Sequence, residues 1–192
     1  KLLQQLTPPG KGDDTAVRFA INSLSRYSSE FGRALERAFL ERNLIRGISE
    51  IQDKDIKMYL IRQLNLVATE QSMDLLASYL HHEKLGEPAA QALLAMRTDA
   101  VSGLFLEALS GAEGKNKLTI LRALGELKYL PAAAPITALL DAGDQDLRKV
   151  CLEALGAIAS PDSYKLLLKA AQSVDYAYEP TNATEVFLRY AF

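Results

Sequence analysis

The sequence predicts an all-α protein built as an α-solenoid, with about five helix pairs in series and the start of a sixth. Leucine and alanine dominate a chain of 192 residues that has no tryptophan, and this composition favours helix. Apolar residues recur at helical spacing in one segment after another. The same apolar pattern returns about every 31 residues, which is typical of stacked helix pairs.

The predicted elements follow one another with short breaks. Residues 1–13 form an N-terminal loop, because its two prolines and two glycines, in the run Thr7-Pro-Pro-Gly-Lys-Gly12, exclude regular structure. Asp13 or Asp14 is expected to cap the first helix. The predicted helices cover residues 15–27, 31–44, 56–67, 73–80, 88–96, 101–109, 117–127, 132–140, 146–159 and 163–171.

The repeat array is predicted to span residues 14–171, with a turn at Ala142-Gly143-Asp144 before its last helix pair. Residues 172–192 are predicted to form an irregular tyrosine-rich segment followed by a further helix that is cut short at Phe192. We therefore expect the chain to be a piece of a longer protein.

The repeat is defined by four leucines that occupy the same place in successive first helices. Leu155 aligns with Leu124, Leu93 and Leu64 at spacings of 31, 31 and 29 residues. In the second helix of each pair, the aligned positions are apolar except for Pro135. A single pair cannot bury such a face alone, so neighbouring pairs must stack into a continuous core.

The first pair is expected to fit the same template after a longer spacing. Its aligned residues are Ala20, Leu24, Tyr27, Leu35, Phe39 and Leu40, with Phe31 on the same face of the second helix.

A short motif identifies the kind of repeat. Asp146, Arg148, Leu155, Gly156 and Ile158 form an Asp-x-Arg…Leu-Gly-x-Ile pattern, and the run Leu124-Gly125-x-Leu127 repeats its second half. This pattern resembles HEAT-like repeats of the phycobilisome-lyase type. The resemblance implies an armadillo-like α-superhelix over most of the chain, and it includes chromophore lyases as a minor functional alternative.

The N-terminal run from Leu6 to Ile21 resembles a different subgroup. It is similar to HEAT-repeat regions of large secreted bacterial proteins that carry a domain of the 3-keto-disaccharide hydrolase type. This resemblance implies a bacterial protein of the periplasm or cell envelope. It also implies a second function, an auxiliary helical region of a carbohydrate-active protein whose catalytic domain lies outside residues 1–192.

The residues predict no catalytic, metal or cofactor site. His81 and His82 are adjacent, whereas a helical zinc pair needs two histidines four residues apart. Cys151 takes a position filled by leucine, alanine or isoleucine in the other repeats, so we expect a packing thiol. We expect Asp55 and Asp146 to cap helices and to complement the helix dipole. Lys57 and Arg148 are expected to contact the turn of the neighbouring repeat.

Charge and hydropathy narrow the class of partner. The net charge of −2 argues against a nucleic-acid binder, and no apolar run reaches the length of a membrane span. We predict a non-catalytic scaffold that binds a protein partner or an attached domain along its concave face. The candidate contact residues are Asp74, Ser78, Glu107, Thr137, Lys165, Lys169, Tyr176 and Tyr178.

Overall fold

A computed structural model of the protein describes residues 1–141 and 144–192, so the predicted turn residues Ala142 and Gly143 lie outside the described part. No strand occurs among the described residues, and the predicted all-α solenoid class is confirmed. The α-helices are α1 Thr15–Ser29, α2 Ala34–Glu50, α3 Lys54–Val67, α4 Glu70–Ser78, α5 Gly86–Leu94, α6 Asp99–Leu109, α7 Gly114–Glu126, α8 Ala133–Leu139, α9 Gln145–Ile158, α10 Tyr164–Gln172 and α11 Ala183–Ala191.

The chain divides into two compact units, Lys1–Val101 and Ser102–Phe192. In the first unit, α3 packs against α1 on one side and α5 on the other. Helix α2 contacts α1, α3 and α4, and α4 packs on α5. Within this unit the first helices α1, α3 and α5 therefore stack in series, and the second helices α2 and α4 contact each other and these first helices.

The second unit repeats this arrangement. Helix α9 packs between α7 and α11, while α8 packs on α9 and α10 packs on α11. Helix α11 thus occupies the place of a first helix in a further pair, next to α9 and α10. Short 3₁₀ turns, Leu130–Ala132 and Pro161–Ser163, lead into α8 and α10.

The predicted repeat register is confirmed in four helices. Leu64, Leu93, Leu124 and Leu155 are each fully buried, with no exposed surface. The residues four positions earlier are buried to the same degree, and one of these is Cys151. In α7 and α9 the next residue is glycine, and its small size lets α7 and α9 approach, since a Cβ on Gly125 would stand only 3.0 Å from the Cα of Ala154.

The first helix pair departs from the predicted register. The buried residues of α1 are Ile21, Ser25 and Ser28, whereas Leu24 and Tyr27 are exposed. The inward face is therefore displaced by one residue from the predicted one. The Ser25 hydroxyl donates to the carbonyl of Ile21 in the preceding turn, so a small polar residue is accommodated in the core.

Helix α2 corrects the sequence prediction in both its bounds and its buried face. It begins at Ala34 and runs to Glu50, and its buried residues are Glu41, Leu44, Gly47 and Ile48. Phe31, Leu35 and Phe39 are instead exposed, with relative accessibilities of 106%, 85% and 68%.

Polar contacts explain this orientation of α2. The Arg37 guanidinium donates to the carbonyls of Val67 and Ala68 at the end of α3, at 2.9 and 2.7 Å. Glu41, one turn later, accepts hydrogen bonds at the start of α4. These anchors lie on one side of α2, and they turn Leu35 and Phe39 outward.

Asp13, one of the two residues expected at the start of α1, accepts from the backbone N–H of Thr15, whereas Asp55 and Asp146 do not cap their helices. Asp53 accepts from the backbone N–H groups of Asp55 and Ile56, and Asp144 accepts from that of Leu147. Asp55 and Asp146 lie in the first turns of α3 and α9, where their charges still complement the helix dipole. Lys57 was expected to contact the neighbouring repeat, but its Nζ lies 3.4 Å from the hydroxyl of Tyr79, at the end of α4 in its own helix pair.

In three helix pairs, a residue with a left-handed backbone conformation follows the first helix, and it occupies the same position of the repeat each time. Arg97, Lys128 and Ala159 have φ angles of 50°, 50° and 55°, and each stands four residues after a core leucine. Glycine is the usual residue at this position of a helix terminus, because a Cβ is strained at positive φ. Each of these three helix ends therefore carries backbone strain, which could not be predicted from the apolar pattern.

We expect Ala159→Gly to stabilise the protein by about 0.5–1 kcal/mol, since the relief of strain exceeds the added entropy of the unfolded chain. Urea denaturation followed by far-UV circular dichroism measures the change. Ala157→Gly is the matched control, because this exposed residue lies within α9. There glycine costs about 0.5–1 kcal/mol. Equal destabilisation by both changes would contradict the prediction.

Candidate functional site

A groove in the second unit collects three of the predicted contact residues. Thr137 on α8 and Lys165 and Lys169 on α10 line an open cavity of about 370 Å³. All three side chains are exposed. We call this cavity the α8–α10 groove; the described residues that line it are Thr137, Leu140, Asp141, Arg148, Leu152, Lys165, Leu166, Lys169, Ala170 and Ser173.

The groove has an apolar floor and a charged rim. Leu152, Leu140 and Ala170 are buried residues of the repeat core that also border the cavity. Lys165 and Lys169 are four residues apart on α10, so they share one face of that helix. Arg148 reaches the same cavity from the first turn of α9. Sequence reasoning assigned Arg148 to a turn contact and missed its place in the groove.

The two predicted tyrosines lie at a second depression, of about 260 Å³, between the segment after α10 and helix α11. Tyr178 is 92% exposed, and Tyr176 is about half exposed. Asp175, Tyr176 and Asn182 have φ angles of 51°, 56° and 58°, which are strained for residues with a side chain.

Several hydrogen bonds hold this tyrosine segment in place. The Tyr176 N–H donates to the carbonyl of Ala171, and the Thr184 hydroxyl donates to that of Ala177. Glu179 accepts from the Thr181 N–H and hydroxyl and from the Ala183 N–H, at 2.6–2.8 Å. The segment is therefore an ordered loop, although it lies outside the helical pattern.

The carboxyl group of Glu179 is ionised, and it holds this loop in place by accepting hydrogen bonds. Burial acts to raise the pKa of its carboxyl group, but the hydrogen bonds from Thr181 and Ala183 and the positive charge of Arg148 act against burial. The result is a pKa below the ordinary value. The carboxylate thus stabilises the start of α11 and is already satisfied by the protein.

The remaining predicted contact residues lie elsewhere. Asp74 and Ser78 are exposed, one turn apart on α4 in the first unit, and the Ser78 hydroxyl donates to the carbonyl of Leu75. Glu107 is exposed on α6 and does not line the α8–α10 groove. The structure therefore brings together Thr137 with the two lysines, and the two tyrosines with each other.

The other chemically notable side chains have structural roles. Burial raises the pKa of the Cys151 thiol to about 11, against an opposing effect of the charge on Lys117, so the reactive thiolate is disfavoured at neutral pH. The Nδ1 atom of His82 accepts from the N–H groups of Lys84 and Leu85 just before α5. Within residues 1–141 and 144–192, no group of three or more His, Cys, Asp or Glu side chains is placed to hold a metal ion.

Part of the chain matches a known repeat family. Residues 101–186 match the family of HEAT repeats. The HEAT-repeat match covers α7 to α10, and therefore the whole α8–α10 groove and most of the tyrosine loop. No curated protein sequence matches the chain. None of the helices formed by the described residues is both long and apolar enough to span a membrane.

The narrower resemblances stay predictions. The match to HEAT repeats does not distinguish the phycobilisome-lyase type from other members, and it carries no information about a secreted carbohydrate-active protein. The predicted location in the periplasm or cell envelope rests on the second resemblance alone.

Proposed function

We propose that this protein is a non-catalytic interaction module that binds a protein partner in the α8–α10 groove. HEAT repeats commonly mediate protein interactions, and the groove lies within the residues that match this family. The observation that carries the proposal is the groove itself. It is open, it has an apolar floor, and three of its exposed residues were predicted as contact residues from the repeat pattern.

The physical argument concerns how such a surface gains binding energy. Buried apolar contacts supply most of the favourable free energy of an interface, and a polar rim supplies orientation. In the groove, the accessible apolar surface belongs to the half-buried Leu166 and to small parts of Leu140 and Ala170. The repeat core holds these side chains, so little entropy is lost when a partner covers them. The rim residues Thr137 and Ser173 offer hydroxyl groups beside that floor.

The tyrosine loop is proposed as a second contact surface of the same module. Tyrosine supplies a large contact area at low cost in conformational entropy. The loop maintains Tyr176 in a left-handed conformation, and it exposes Tyr178 almost completely. A rigid loop that bears strain while it exposes aromatic side chains is suited to partner recognition. Asp74, Ser78 and Glu107 remain predicted contact residues without a cavity of their own.

Crosslinking followed by titration tests the groove. A photoreactive amino acid at Thr137, and at exposed Lys115 as a comparison, is irradiated in extract of cells that express the protein. The protein crosslinked at Thr137 is purified and titrated calorimetrically with the wild-type chain and with Thr137→Trp. Because tryptophan fills the groove, we expect the dissociation constant to rise at least about tenfold, equivalent to about 1.4 kcal/mol.

Ala134→Trp is the matched control, since Ala134 is exposed on α8 but does not line the groove. Its dissociation constant should stay within about twofold of the wild-type value, which is below about 0.5 kcal/mol. A partner that binds wild type and Thr137→Trp equally well would rule out the groove as its site.

A further inference from the structure

The α8–α10 groove contains an excess of cationic groups. Arg148, Lys165 and Lys169 all line it, and among the described residues none of their side chains lies within 4.0 Å of a carboxylate oxygen. The two lysines are separated by one turn of α10, so their charges repel each other across a short distance. An anionic group bound between them would relieve that repulsion.

Few carboxylates oppose these cations. Asp141 is the acidic residue in the groove lining. Glu179 is affected by the charge of Arg148, but its oxygens already accept hydrogen bonds from Thr181 and Ala183. Three cations against one lining carboxylate leave the groove positive, although the whole chain has a net charge of −2. The positive field is therefore local to this cavity.

The apolar floor determines which anion fits. Leu140, Leu152, Leu166 and Ala170 border the cavity, and none of the described residues that line it is aromatic. Single-stranded nucleic acids gain much of their binding energy from bases stacked on aromatic rings, which this groove does not provide. An apolar side chain flanked by carboxylates can pack on the apolar floor while the carboxylates pair with the cations of the rim. A peptide can present that combination.

We infer that the partner binds through a short acidic peptide segment, in which a leucine-like side chain covers the floor and flanking Asp or Glu carboxylates pair with Lys165, Lys169 and Arg148. This inference rests on the proposed function and specifies the chemistry of its partner. The cations are on the rim, so they are accessible to an incoming segment and steer its approach. Their attraction falls as salt screens it.

Fluorescence polarisation with defined peptides tests the inference on the full chain. The probe is a fluorescein-labelled eight-residue peptide with leucines flanked by glutamates, and the comparison peptide has lysines in place of the glutamates. We expect saturable binding of the acidic peptide at about 50 mM salt, at least about tenfold weaker binding at 0.5 M salt, and no saturable binding of the basic peptide.

Charge-reversal variants test whether the acidic peptide binds in the α8–α10 groove. Lys165→Glu combined with Lys169→Glu should weaken binding of the acidic peptide at least about tenfold. Lys115→Glu combined with Lys128→Glu changes the net charge equally at two exposed lysines outside the groove, and it should leave binding within about twofold. All four side chains are exposed, and circular dichroism melting curves establish that each variant folds.

Three results would overturn the acidic-peptide inference: no saturable binding of the acidic peptide up to 1 mM, an equal effect of the two charge reversals, or equal competition by inorganic polyphosphate. Equal competition would indicate a general polyanion site. A purified partner that is weakened by Thr137→Trp but unaffected by Lys165→Glu with Lys169→Glu would overturn the inference and leave the proposed function intact. A partner unaffected by both changes would overturn the proposed function itself.

Discussion

Replacement of Glu41 by alanine is expected to lower the free energy of unfolding by about 3 kcal/mol. Glu41 is fully buried in α2, and its carboxylate accepts from the N–H and hydroxyl of Thr69 and from the hydroxyl of Ser72. These three donors surround the start of α4. Alanine removes the acceptor of the half-buried Thr69 N–H and hydroxyl, whereas the Ser72 hydroxyl keeps the Thr69 carbonyl as an acceptor. Each uncompensated donor costs about 1–3 kcal/mol before relaxation.

Urea denaturation followed by circular dichroism measures the loss, and hydrogen exchange of the α4 amides locates it. Glu36→Ala is the matched control on the same helix, because Glu36 is partly exposed and lies 3.4 Å from Arg33. Such a surface pair contributes about 0–0.5 kcal/mol. Glu41→Gln keeps one carbonyl acceptor and should fall between the two. A Glu41→Ala variant as stable as Glu36→Ala would show that the buried contacts contribute little.

Gly125→Val is expected to destabilise the second unit by about 3 kcal/mol. A Cβ at this position would lie 3.0 Å from the Cα and 3.3 Å from the Cβ of Ala154, at the contact between α7 and α9. The obstacle includes the backbone of a neighbouring helix, so a side-chain rotation cannot remove the overlap. The helices must separate, and the packing around buried Leu124 and Leu155 is lost with them.

Substitutions at two other helical glycines, Gly156 and Gly103, test whether the loss of stability comes from steric overlap or from the replacement of glycine itself. At Gly156 the Cβ would meet the Cγ1 of Val186 at 2.6 Å, and this methyl group can rotate away, so Gly156→Ala should cost less than Gly125→Val. At Gly103 nothing lies within 4 Å of the added atom. Gly103→Ala should therefore stabilise α6 by about 0.5–1 kcal/mol. Thermal denaturation of the three variants tests this order, and a Gly125→Val melting curve like that of wild type would refute it.

The repeat was predictable because its signal is redundant. Leu64, Leu93, Leu124 and Leu155 are apolar, helical in spacing and evenly separated, so three independent features indicate the same buried face.

The first helix pair was not predictable in the same way. Its inward positions are held by Ser25, Ser28 and Glu41, and polar residues do not contribute to an apolar stripe. Leu35 and Phe39 of α2, with Phe31 before it, formed a stronger apolar stripe, but all three are exposed. A signal was present: Glu41, Leu44 and Ile48 share one helix face, although a buried glutamate is uncommon enough that the pattern suggested solvent.

The candidate site was predicted in part. Thr137, Lys165 and Lys169 follow from the position of the second helices within the repeat, and the exposure of Tyr176 and Tyr178 follows from their place outside it. Arg148 was assigned to the wrong role because its residue type and helix position fit a turn contact equally well. Its location in the groove depends on how α8, α9 and α10 pack against one another. The spacing of apolar residues in the sequence does not predict that packing.

The sequence by itself determined the helices of this protein, the spacing of the repeat and the leucines of its core, because helical periodicity and apolar burial are local properties repeated along the chain. Only the tertiary structure decided which polar groups are buried and which cations share a cavity. Those outcomes depend on hydrogen bonds such as that from Thr69 to Glu41, and on cations such as Arg148 and Lys165 that come from different helices. Such distances are fixed by packing, for which the sequence pattern carries no direct signal.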